Sequence, residues 1–452
     1  MDLTRSALLT DLYQLNMMQA YLEHGQTKTA VFEFFVRKLP RGRQFLMAAG
    51  LEQALDYLEH LQFSPSDLEW LADSGRFSKG LIDHLATLRF TGDVDAMPEG
   101  TVFFPNEPVL RVTAPLPEAQ LVETRLINIL HYQTLIASKA ARHVLLAPGK
   151  LLVDFGFRRA HGAEAGVMAA RASYVAGYSG TATLLAGKLY GVPVYGTMAH
   201  SFIQAFDSEI AAFEAFAQSR PQGLILLIDT YDTEAAAREV VALAPRLKSK
   251  GISIRGVRID SGSLASLAKS VRQILDEGGC RDVIVFASGG IDEAEMAEFS
   301  RTGAPIDGLG IGTSLTTSFD VPALDCAYKL QEYAGTGRRK LSLGKATWPG
   351  RKQVWRQIGA DGLMVRDVLS LAGDRQEGAP LLQCVMRGGR RVVPPVPLAE
   401  VRTHAARNLA QLPGSLRRLE ADALFPVEIS DALRRYTENV DAMLARRSST
   451  PK

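Results

Sequence analysis

The central part of the chain alternates short apolar runs with amphipathic helical patterns. The apolar runs predict strands at residues 151–153, 192–195, 224–228, 254–259, 283–286 and 306–309. Between them, apolar residues at helical spacing predict helices at about 163–176, 180–190, 202–218, 233–248, 263–277 and 292–301. This alternation predicts a parallel sheet with right-handed crossovers. Six strands are fewer than the eight of a complete β/α barrel, so an open doubly wound sheet is an alternative.

The two ends of the chain carry different patterns. Near the N-terminus we predict a helix within residues 1–25 with Thr10 as its N-cap, a strand at 31–36, helices at 49–61 and 66–73, and short strands within 89–113. After about residue 335, segments 340–347 and 352–356 predict a hairpin around a turn at 348–351, and a last helix is predicted at about 430–446.

Polar residues or glycines follow nearly every predicted central strand at its carboxyl end. They are Asp154, Thr197, His200, Asp229, Asp260, Ser288, Gly289 and Gly310. Parallel strands would place them on one rim, where barrel enzymes carry their chemistry, and this favours the barrel. Ordinary turn chemistry explains any one of these positions, but it explains the whole set less well.

The last two central strands each break into a turn of small residues. Ser288, Gly289 and Gly290 follow the first of them, and the second runs into residues 308–314, which include Gly310, Gly312 and Thr313. Backbone N–H groups in glycine turns are accessible to a phosphate, and barrels often bind phosphate after their last two strands. Loop closure alone is the alternative interpretation of these glycines.

Residues 154–161 place an aromatic ring beside two guanidinium groups. Phe155 could stack on a planar ligand while Arg158 and Arg159 pair with its carboxylate or phosphate. The alternative is that Phe155 lies in the core and the arginines pair with Asp154 or Glu164.

Three more strand ends carry candidate chemistry. His200 would lie near the positive end of a helix, as a base, an anion contact, a phosphate acceptor or a structural histidine. Arg258 and Asp260 alternate to one side of their strand, where Arg258 could hold an anion and Asp260 could contact Mg²⁺ or ribose hydroxyls. A buried ion pair is the alternative there. Asp229 adds another carboxylate at the preceding strand end.

Composition narrows the function classes. The chain has 452 residues, 51 Lys and Arg against 49 Asp and Glu, and a net charge of +2, so nothing predicts nucleic acid or an anionic membrane as a partner. No apolar run approaches the roughly 18 residues of a membrane span. The three cysteines form no metal or disulfide spacing, which favours a cytoplasmic location. The basic stretch at 338–352 is interpreted as a solvated face.

Together these residues carry a family resemblance. The chain resembles the nicotinate phosphoribosyltransferases, which are type II phosphoribosyltransferases. The matching segments, in the family's order, are residues 10–14, 154–159, 196–202, 257–262, 287–290, 310–313 and 349–354. The resemblance implies an irregular, incomplete β/α barrel at 136–333. It also implies a second α+β domain built from an N-terminal part at 1–135 and a C-terminal part at 334–452, and a homodimer with shared active sites.

The resemblance also implies a reaction. The family joins nicotinate to 5-phosphoribosyl 1-diphosphate, giving nicotinate mononucleotide and diphosphate in NAD salvage. Mg²⁺ assists, and ATP hydrolysis is coupled through a phosphohistidine that matches His200. By the same resemblance, Tyr13 of a second subunit and Phe155 would stack on the pyridine, with Arg158, Arg258 and Thr197 beside it. Asp260 would contact ribose or Mg²⁺, Asp229 is a second candidate for Mg²⁺, and the glycine turns would hold the 5-phosphate.

One position helps to decide whether the substrate is the acid nicotinate or the amide nicotinamide. The related nicotinamide-using family carries an aspartate where this chain has Ala182, so we expect a preference for nicotinate. The alternatives are a nicotinamide or quinolinate phosphoribosyltransferase of the same fold, a non-catalytic ligand-binding homologue, and an open-sheet nucleotide-binding protein. The last of these would require a P-loop, which the sequence lacks.

Overall fold

The chain divides into two compact units. The computed structural model describes residues 6–342, 345–418 and 423–449. One unit is continuous, Lys139–Pro322, and the other combines Met1–Ser138 with Ala323–Lys452. They are called the central unit and the terminal unit below.

The N-terminal half of the terminal unit mixes helices with short strands. Its elements are α1 (Leu12–Glu23), β1 (Thr29–Val36), β2 (Leu46–Met47), α2 (Leu51–Glu59), α3 (Pro65–Asp73), α4 (Lys79–Thr87), β3 (Asp93–Ala96), β4 (Val102–Phe103), β5 (Leu110–Pro115), α5 (Leu116–Leu121) and α6 (Glu123–Leu146), which continues into the central unit. Helix α1 begins after Asp11 and not after Thr10, whose hydroxyl donates to the Leu121 carbonyl, so the predicted N-cap is wrong.

The central unit repeats strand and helix. Its elements are β6 (Leu151–Asp154), α7 (Ala163–Ala176), β7 (Gly180–Thr181), α8 (Leu184–Tyr190), α9 (His200–Gln204), α10 (Glu209–Ser219), β8 (Leu224–Leu227), α11 (Thr233–Lys248), β9 (Ile254–Ile259), α12 (Leu264–Glu277), β10 (Ile284–Ser288), α13 (Glu293–Thr302), β11 (Gly308–Ile311) and α14 (Thr313–Thr316).

The C-terminal part returns to the terminal unit. Its elements are β12 (Cys326–Tyr333), β13 (Thr336–Gly337), β14 (Lys352–Ile358), β15 (Met364–Leu371), β16 (Ala379–Pro380), β17 (Gln383–Arg387), β18 (Arg390–Arg391), α15 (Leu398–Ala410), α16 (Gly414–Arg417), β19 (Val427–Ile429) and α17 (Asp431–Ser449).

The central sheet has the connectivity of an interrupted barrel. Its order is β7-β6-β11-β10-β9-β8, and the pairs are parallel. Except for β7 and β8, each strand therefore lies beside its neighbour in the chain, and the last strand, β11, returns to the first, β6. Pairing of β7 with β8 would close the ring, and this step is missing among the described strands. A doubly wound sheet would instead reverse direction at an internal switch point. The predicted incomplete barrel is confirmed.

Both ends of the chain build the second α+β domain. In its seven-stranded sheet, β1 pairs antiparallel with β5 and with β12, and β3 pairs with β17. Strands from positions more than 200 residues apart therefore share one hydrogen-bonded sheet. A four-stranded sheet has the order β16-β14-β15-β19, and β2 pairs with β4.

Two predicted central elements differ from the structure. Residues 192–195 form only a single bridge, Val194 to Thr181, and the strand in that place is β7, which occupies the start of the helix predicted at 180–190. The helix predicted at 202–218 is two helices, α9 and α10. The break occurs because Ser208 takes an extended backbone and its hydroxyl caps the Ala211 N–H at the start of α10.

The hairpin predicted around residues 348–351 is wrong. Strand β14 pairs with β15, and the described residues of 340–347, all but 343 and 344, form no strand. The turn that joins β14 to β15 contains Asp361 and Gly362, and Gly362 has a φ of 79°. Such an Asp-Gly pair is a strong hairpin signal, because glycine adopts the left-handed conformation without a steric penalty.

An ion pair lies buried within the four-stranded sheet. Arg356 on β14 binds Asp367 on β15 through two nitrogens, at 3.0 and 2.5 Å, and donates to the Val102 carbonyl at 2.7 Å. Their side chains are 4% and 0% exposed. Burial and the Asp367 charge raise the pKa of the neighbouring Glu107 carboxyl, while Arg356 opposes the rise.

We expect Arg356→Met to lower the free energy of unfolding by about 3–5 kcal/mol, because it leaves a buried carboxylate without its cation. Urea unfolding followed by circular dichroism measures the loss. The matched control is Arg366→Met on the neighbouring strand β15, which removes the exposed pair with Glu428 of β19 (40% and 52% exposed) and should cost less than about 1 kcal/mol. Equal losses in the two variants would contradict this expectation.

Candidate active site at the carboxyl edge of the central sheet

Asp154 joins two turns at the carboxyl end of β6. Its carboxylate accepts the Gly156 N–H at 2.8 Å and the Thr181 hydroxyl at 2.7 Å, and its carbonyl accepts the Ala182 N–H at 2.8 Å. Asp154 is 1% exposed, and burial raises the pKa of its carboxyl to about 6 although both hydrogen bonds oppose the rise. The turn that carries Phe155 and the turn that carries Ala182 are thereby held together.

Strand β11 lets two aromatic rings approach its backbone closely. A Cβ added to Gly310 would lie 2.5 Å from the Phe155 ring, and one added to Gly308 would lie 2.6 Å from the Phe286 ring. The two rings lie 5.8 Å apart, tilted by 41°. Packing of the two rings therefore requires glycine at both positions of β11. The sequence interpretation assigned Gly310 to phosphate binding and did not include this packing. Gly312 lies next to the Phe155 carbonyl as well.

His200 lies among polar groups from three strand ends. Its Nδ1 is 3.2 Å from the Thr230 hydroxyl, and its Nε2 is 3.9 Å from Asp229 and 3.8 Å from Asp260. The Asp260 carboxylate also accepts the Ser288 hydroxyl at 2.5 Å. The structure thus brings together five residues that span almost 90 positions of the chain.

Asp229 organises the adjacent strand end. Its Oδ2 accepts the Asp260 N–H at 2.9 Å and the Ser261 hydroxyl at 2.6 Å. Its Oδ1 is buried and accepts no hydrogen bond from any described residue. The sequence analysis gave no role to Thr230 and Ser261. Each directly follows a candidate aspartate at a strand end, and this position is the sequence signal that could have identified them.

Two guanidinium groups lie near this cluster. Arg258 donates from Nη2 to the Met198 carbonyl at 3.0 Å, and the Thr197 hydroxyl donates to the same carbonyl at 3.3 Å. Burial lowers the pKa of Arg258, Asp260 and Asp229 oppose the shift, and the positive charge of Arg158 adds to it. Arg258 stays protonated at neutral pH, as arginine does in proteins, so two neighbouring cations favour an anion here.

The turn after β10 depends on glycine. Gly289 and Gly290 have φ values of 93° and 68°, a region that other residues rarely adopt. A Cβ at Gly289 would lie 2.0 Å from the Asp260 carbonyl oxygen. The Ser314 hydroxyl, one residue beyond Thr313, donates to the Ile291 carbonyl at 2.5 Å and joins this turn to the turn after β11.

Glu209 is a carboxyl group that the sequence interpretation missed. It is the first residue of α10, and burial together with the charges of Glu239, Asp232 and Asp229 raises its pKa to about 7. Glu209 therefore extends the negative region around Asp229. Its sequence context, a helix start after a serine cap, indicates only capping.

Tyr13 belongs to the terminal unit. It lies on α1 with a 45% exposed side chain, beside the exposed Leu12. Burial raises the pKa of its phenol, and the Glu123 and Asp11 charges add to the rise. Its predicted stacking on the substrate ring of a second subunit stays a prediction.

The carboxylates suit a magnesium ion that is shared with substrate. Across residues 6–342, 345–418 and 423–449, no three His, Cys, Asp or Glu side chains are placed to hold a metal ion. Mg²⁺ at phosphate sites commonly takes one or two carboxylates and completes its shell with water and phosphate oxygens. Asp229, with its free buried oxygen, and the 30% exposed Asp260 fit that pattern.

None of the helices in the described ranges combines the length and apolarity needed to cross a bilayer.

We expect the Asp154→Asn variant to gain stability relative to wild type as pH rises. The raised pKa means that wild-type Asp154 contributes its full stability below about pH 3.8, its ordinary value, and loses it as pH rises through about 6. Asparagine does not ionise. Between about pH 3.8 and pH 6, the free energy of unfolding of the variant should therefore rise by about 2 kcal/mol relative to that of wild type. Urea unfolding at pH 4, 5, 6 and 7 measures the difference. A difference that stays constant with pH would contradict the assignment.

Comparison with known proteins supplies the family. Family models match at residues 8–131 (nicotinate phosphoribosyltransferase N-terminal domain), 151–339 (nicotinate phosphoribosyltransferase family) and 374–437 (nicotinate phosphoribosyltransferase C-terminal domain). A Mycobacterium tuberculosis protein named nicotinate phosphoribosyltransferase pncB2 is 49% identical over 94% of this chain and 92% of its own length. A Bacillus subtilis nicotinate phosphoribosyltransferase is 42% identical over 78% of this chain and 73% of its own.

Solved structures agree with the sequence matches. The crystal structure of human nicotinic acid phosphoribosyltransferase has a TM-score of 0.85 at 29% identity, covering 95% of this chain and 99% of its own. That of a nicotinate-nucleotide pyrophosphorylase from Pyrococcus furiosus has a TM-score of 0.74 at 25% identity, covering 91% and 96%. The chain therefore belongs to the nicotinate phosphoribosyltransferase family of enzymes.

Proposed function

We propose that this enzyme joins nicotinate to 5-phosphoribosyl 1-diphosphate, giving nicotinate mononucleotide and diphosphate for NAD synthesis. The observation that carries the proposal is one sheet edge that holds an aromatic ring, two cations and the His200–Asp229–Asp260 cluster. The relatives named above carry this activity in their names. Three free thiols suit a reducing cytoplasm, where we place the reaction.

In this proposal the nicotinate ring lies against Phe155. Arg158 and Arg258 pair with its carboxylate, since guanidinium groups bind carboxylates through paired hydrogen bonds, and Thr197 contacts the acid from the end of its loop. Tyr13 of a second copy completes the stack, so the active enzyme is a homodimer. The exposed ring of Tyr13 is consistent with that role.

The sugar phosphate extends along the same edge. Asp260 contacts the ribose hydroxyls, while the backbone N–H groups of two turns hold the 5-phosphate. The proposed phosphate-binding positions are Ser288, Gly289 and Gly290 at the carboxyl end of β10, and Gly310, Gly312 and Thr313 at the carboxyl end of β11. The pyridine nitrogen then attacks the anomeric carbon as diphosphate leaves. Because positive charge develops on the ribose, a nearby carboxylate and correct positioning lower the barrier.

His200 couples the reaction to ATP: its imidazole takes the terminal phosphoryl group as ADP leaves, and hydrolysis of the phosphohistidine later releases phosphate. The two carboxylates on the Nε2 side favour a proton on Nε2, which leaves the lone pair on Nδ1 next to the Thr230 hydroxyl. A phosphoryl group here brings negative charge close to Asp229 and Asp260, and the resulting repulsion drives local rearrangement. Asp260 and Asp229 would hold Mg²⁺ at this edge, and the ion would supply positive charge that stabilises the leaving diphosphate.

Ala182 distinguishes acid from amide. Asp154 holds the Ala182 turn against the turn of Phe155, and alanine offers neither a charge to repel a carboxylate nor an acceptor for an amide N–H. We therefore expect kcat/KM for nicotinate to exceed that for nicotinamide by at least about tenfold. The test incubates the protein with the ribosyl donor, Mg²⁺, ATP and nicotinate, nicotinamide or quinolinate, and weighs the products. Comparable values for the amide, or carbon dioxide release from quinolinate, would favour the alternatives, and no turnover at all would favour a binding protein.

We expect His200→Ala to abolish the dependence on ATP while some ATP-independent transfer remains. The substitution removes the phosphoryl acceptor but leaves the ring-binding groups and glycine turns in place. Nicotinate mononucleotide formation is measured with and without ATP, alongside phosphate release. The matched control is His60→Ala, which should behave like wild type. His60 is an exposed histidine at the C-terminal end of α2 in the terminal unit. Unchanged ATP stimulation in His200→Ala would refute the assignment.

A further inference from the structure

A fully buried lysine of the central unit contacts the two segments that follow the glycine turns. The Lys139 side chain, on α6, is 0% exposed, and its Nζ lies 2.8 Å from Glu293 and 2.6 Å from Asp320. None of the steps above uses this residue. A buried ammonium is costly unless it is paired and hydrogen-bonded, so both carboxylates are held firmly to it.

The two partners of Lys139 each continue one of the turns. Glu293 is the first residue of α13, three residues beyond Gly290. Asp320 follows α14, the short helix that begins directly after Gly312. Lys139 therefore connects the segment that leaves the first turn to the segment that leaves the second. The Ser314–Ile291 hydrogen bond joins the same two segments independently.

Other groups reinforce the Glu293 end of this connection. Arg142 Nε lies 3.5 Å and His143 Nε2 3.6 Å from the Glu293 carboxylate, and His143 Nδ1 lies 2.7 Å from the Tyr178 hydroxyl. Burial alone would raise the pKa of Glu293, but His143 and Lys139 hold it well below its ordinary range. Glu293 is therefore a charged partner for Lys139 across the neutral range.

We propose that Lys139 sets the spacing of the two phosphate-binding turns, which makes it a positioning residue for the 5-phosphate of the ribosyl donor. This rests on the proposed function, in which both turns bind that phosphate. Without Lys139, the two segments lose the ammonium group that Glu293 and Asp320 share, so the two turns are held together less firmly. The donor must then order the turns when it binds, and that cost appears as weaker binding.

The test measures Michaelis constants for both substrates in Lys139→Met and Asp320→Asn. We expect KM for the ribosyl donor to rise about tenfold in Lys139→Met and about threefold in Asp320→Asn, which keeps the Glu293 pair. KM for nicotinate should change less than about twofold. KM for the ribosyl donor in the double variant should be no higher than in Lys139→Met alone, because both substitutions remove the same connection. Amide hydrogen exchange should rise at residues 288–292 and 312–316 in both variants.

The matched control is Arg272→Met. Arg272 pairs with Asp276 and donates to the Val283 carbonyl at 2.6 Å, at the opposite end of β10. The Arg272→Met variant should have a lower melting temperature than wild type and an unchanged KM for the ribosyl donor. Lys139 would be merely structural if both Michaelis constants rose together, or if donor KM stayed at the wild-type value. If Lys139→Met does not fold, Asp320→Asn decides, since Asp320 is one-third exposed.

Failure of the proposed function is recognised separately. Wild type is assayed first with nicotinate and the donor, and absence of turnover refutes the function itself. In that case inorganic phosphate is the probe. Protection of 288–292 and 312–316 by phosphate in wild type, lost in both variants, would still support the positioning role, and equal protection in all three would overturn it.

Discussion

The architecture of the site depends on how closely strand β11 lets two aromatic rings approach its backbone. Gly308 and Gly310 leave the room that the rings of Phe286 and Phe155 occupy. Because β11 pairs with β6 on one side and β10 on the other, this contact fixes the ring-bearing turn relative to the turn of Ser288. A side chain at either glycine would push a ring away from the middle of the sheet.

Charge at the carboxyl edge is organised by hydrogen bonds between neighbouring strand ends. Asp229 accepts from the backbone of Asp260, and Asp260 accepts from Ser288, so three successive strands are joined through carboxylates. These bonds hold two negative groups near His200, and the charges of Asp260 and Asp229 also act on Arg258. Charges of both signs therefore meet at one edge of the sheet.

The sequence-based prediction succeeded where local pattern and sheet geometry agree. Strands β6, β8, β9, β10 and β11 are apolar runs bounded by turn residues, and parallel pairing places their ends on one edge. It failed where tertiary contacts decided. Residues 192–195 look like a strand by composition, yet the position beside β6 is taken by Gly180 and Thr181. The described residues of the basic segment before β14 likewise find no strand partner, and the Asp361–Gly362 turn directs β14 to β15.

By itself the sequence determined the class of fold, the order of the central elements and which residue types stand at each strand end. Periodicity and turn chemistry are local properties, so they can be read from neighbouring residues. The tertiary structure alone decided the seam between β7 and β8, the pairing of chain ends in the terminal unit, and the contacts of Thr230, Ser261 and Lys139. Those contacts join residues from 30 to 181 positions apart, and no local pattern records which distant partner a hydroxyl or an ammonium group will meet.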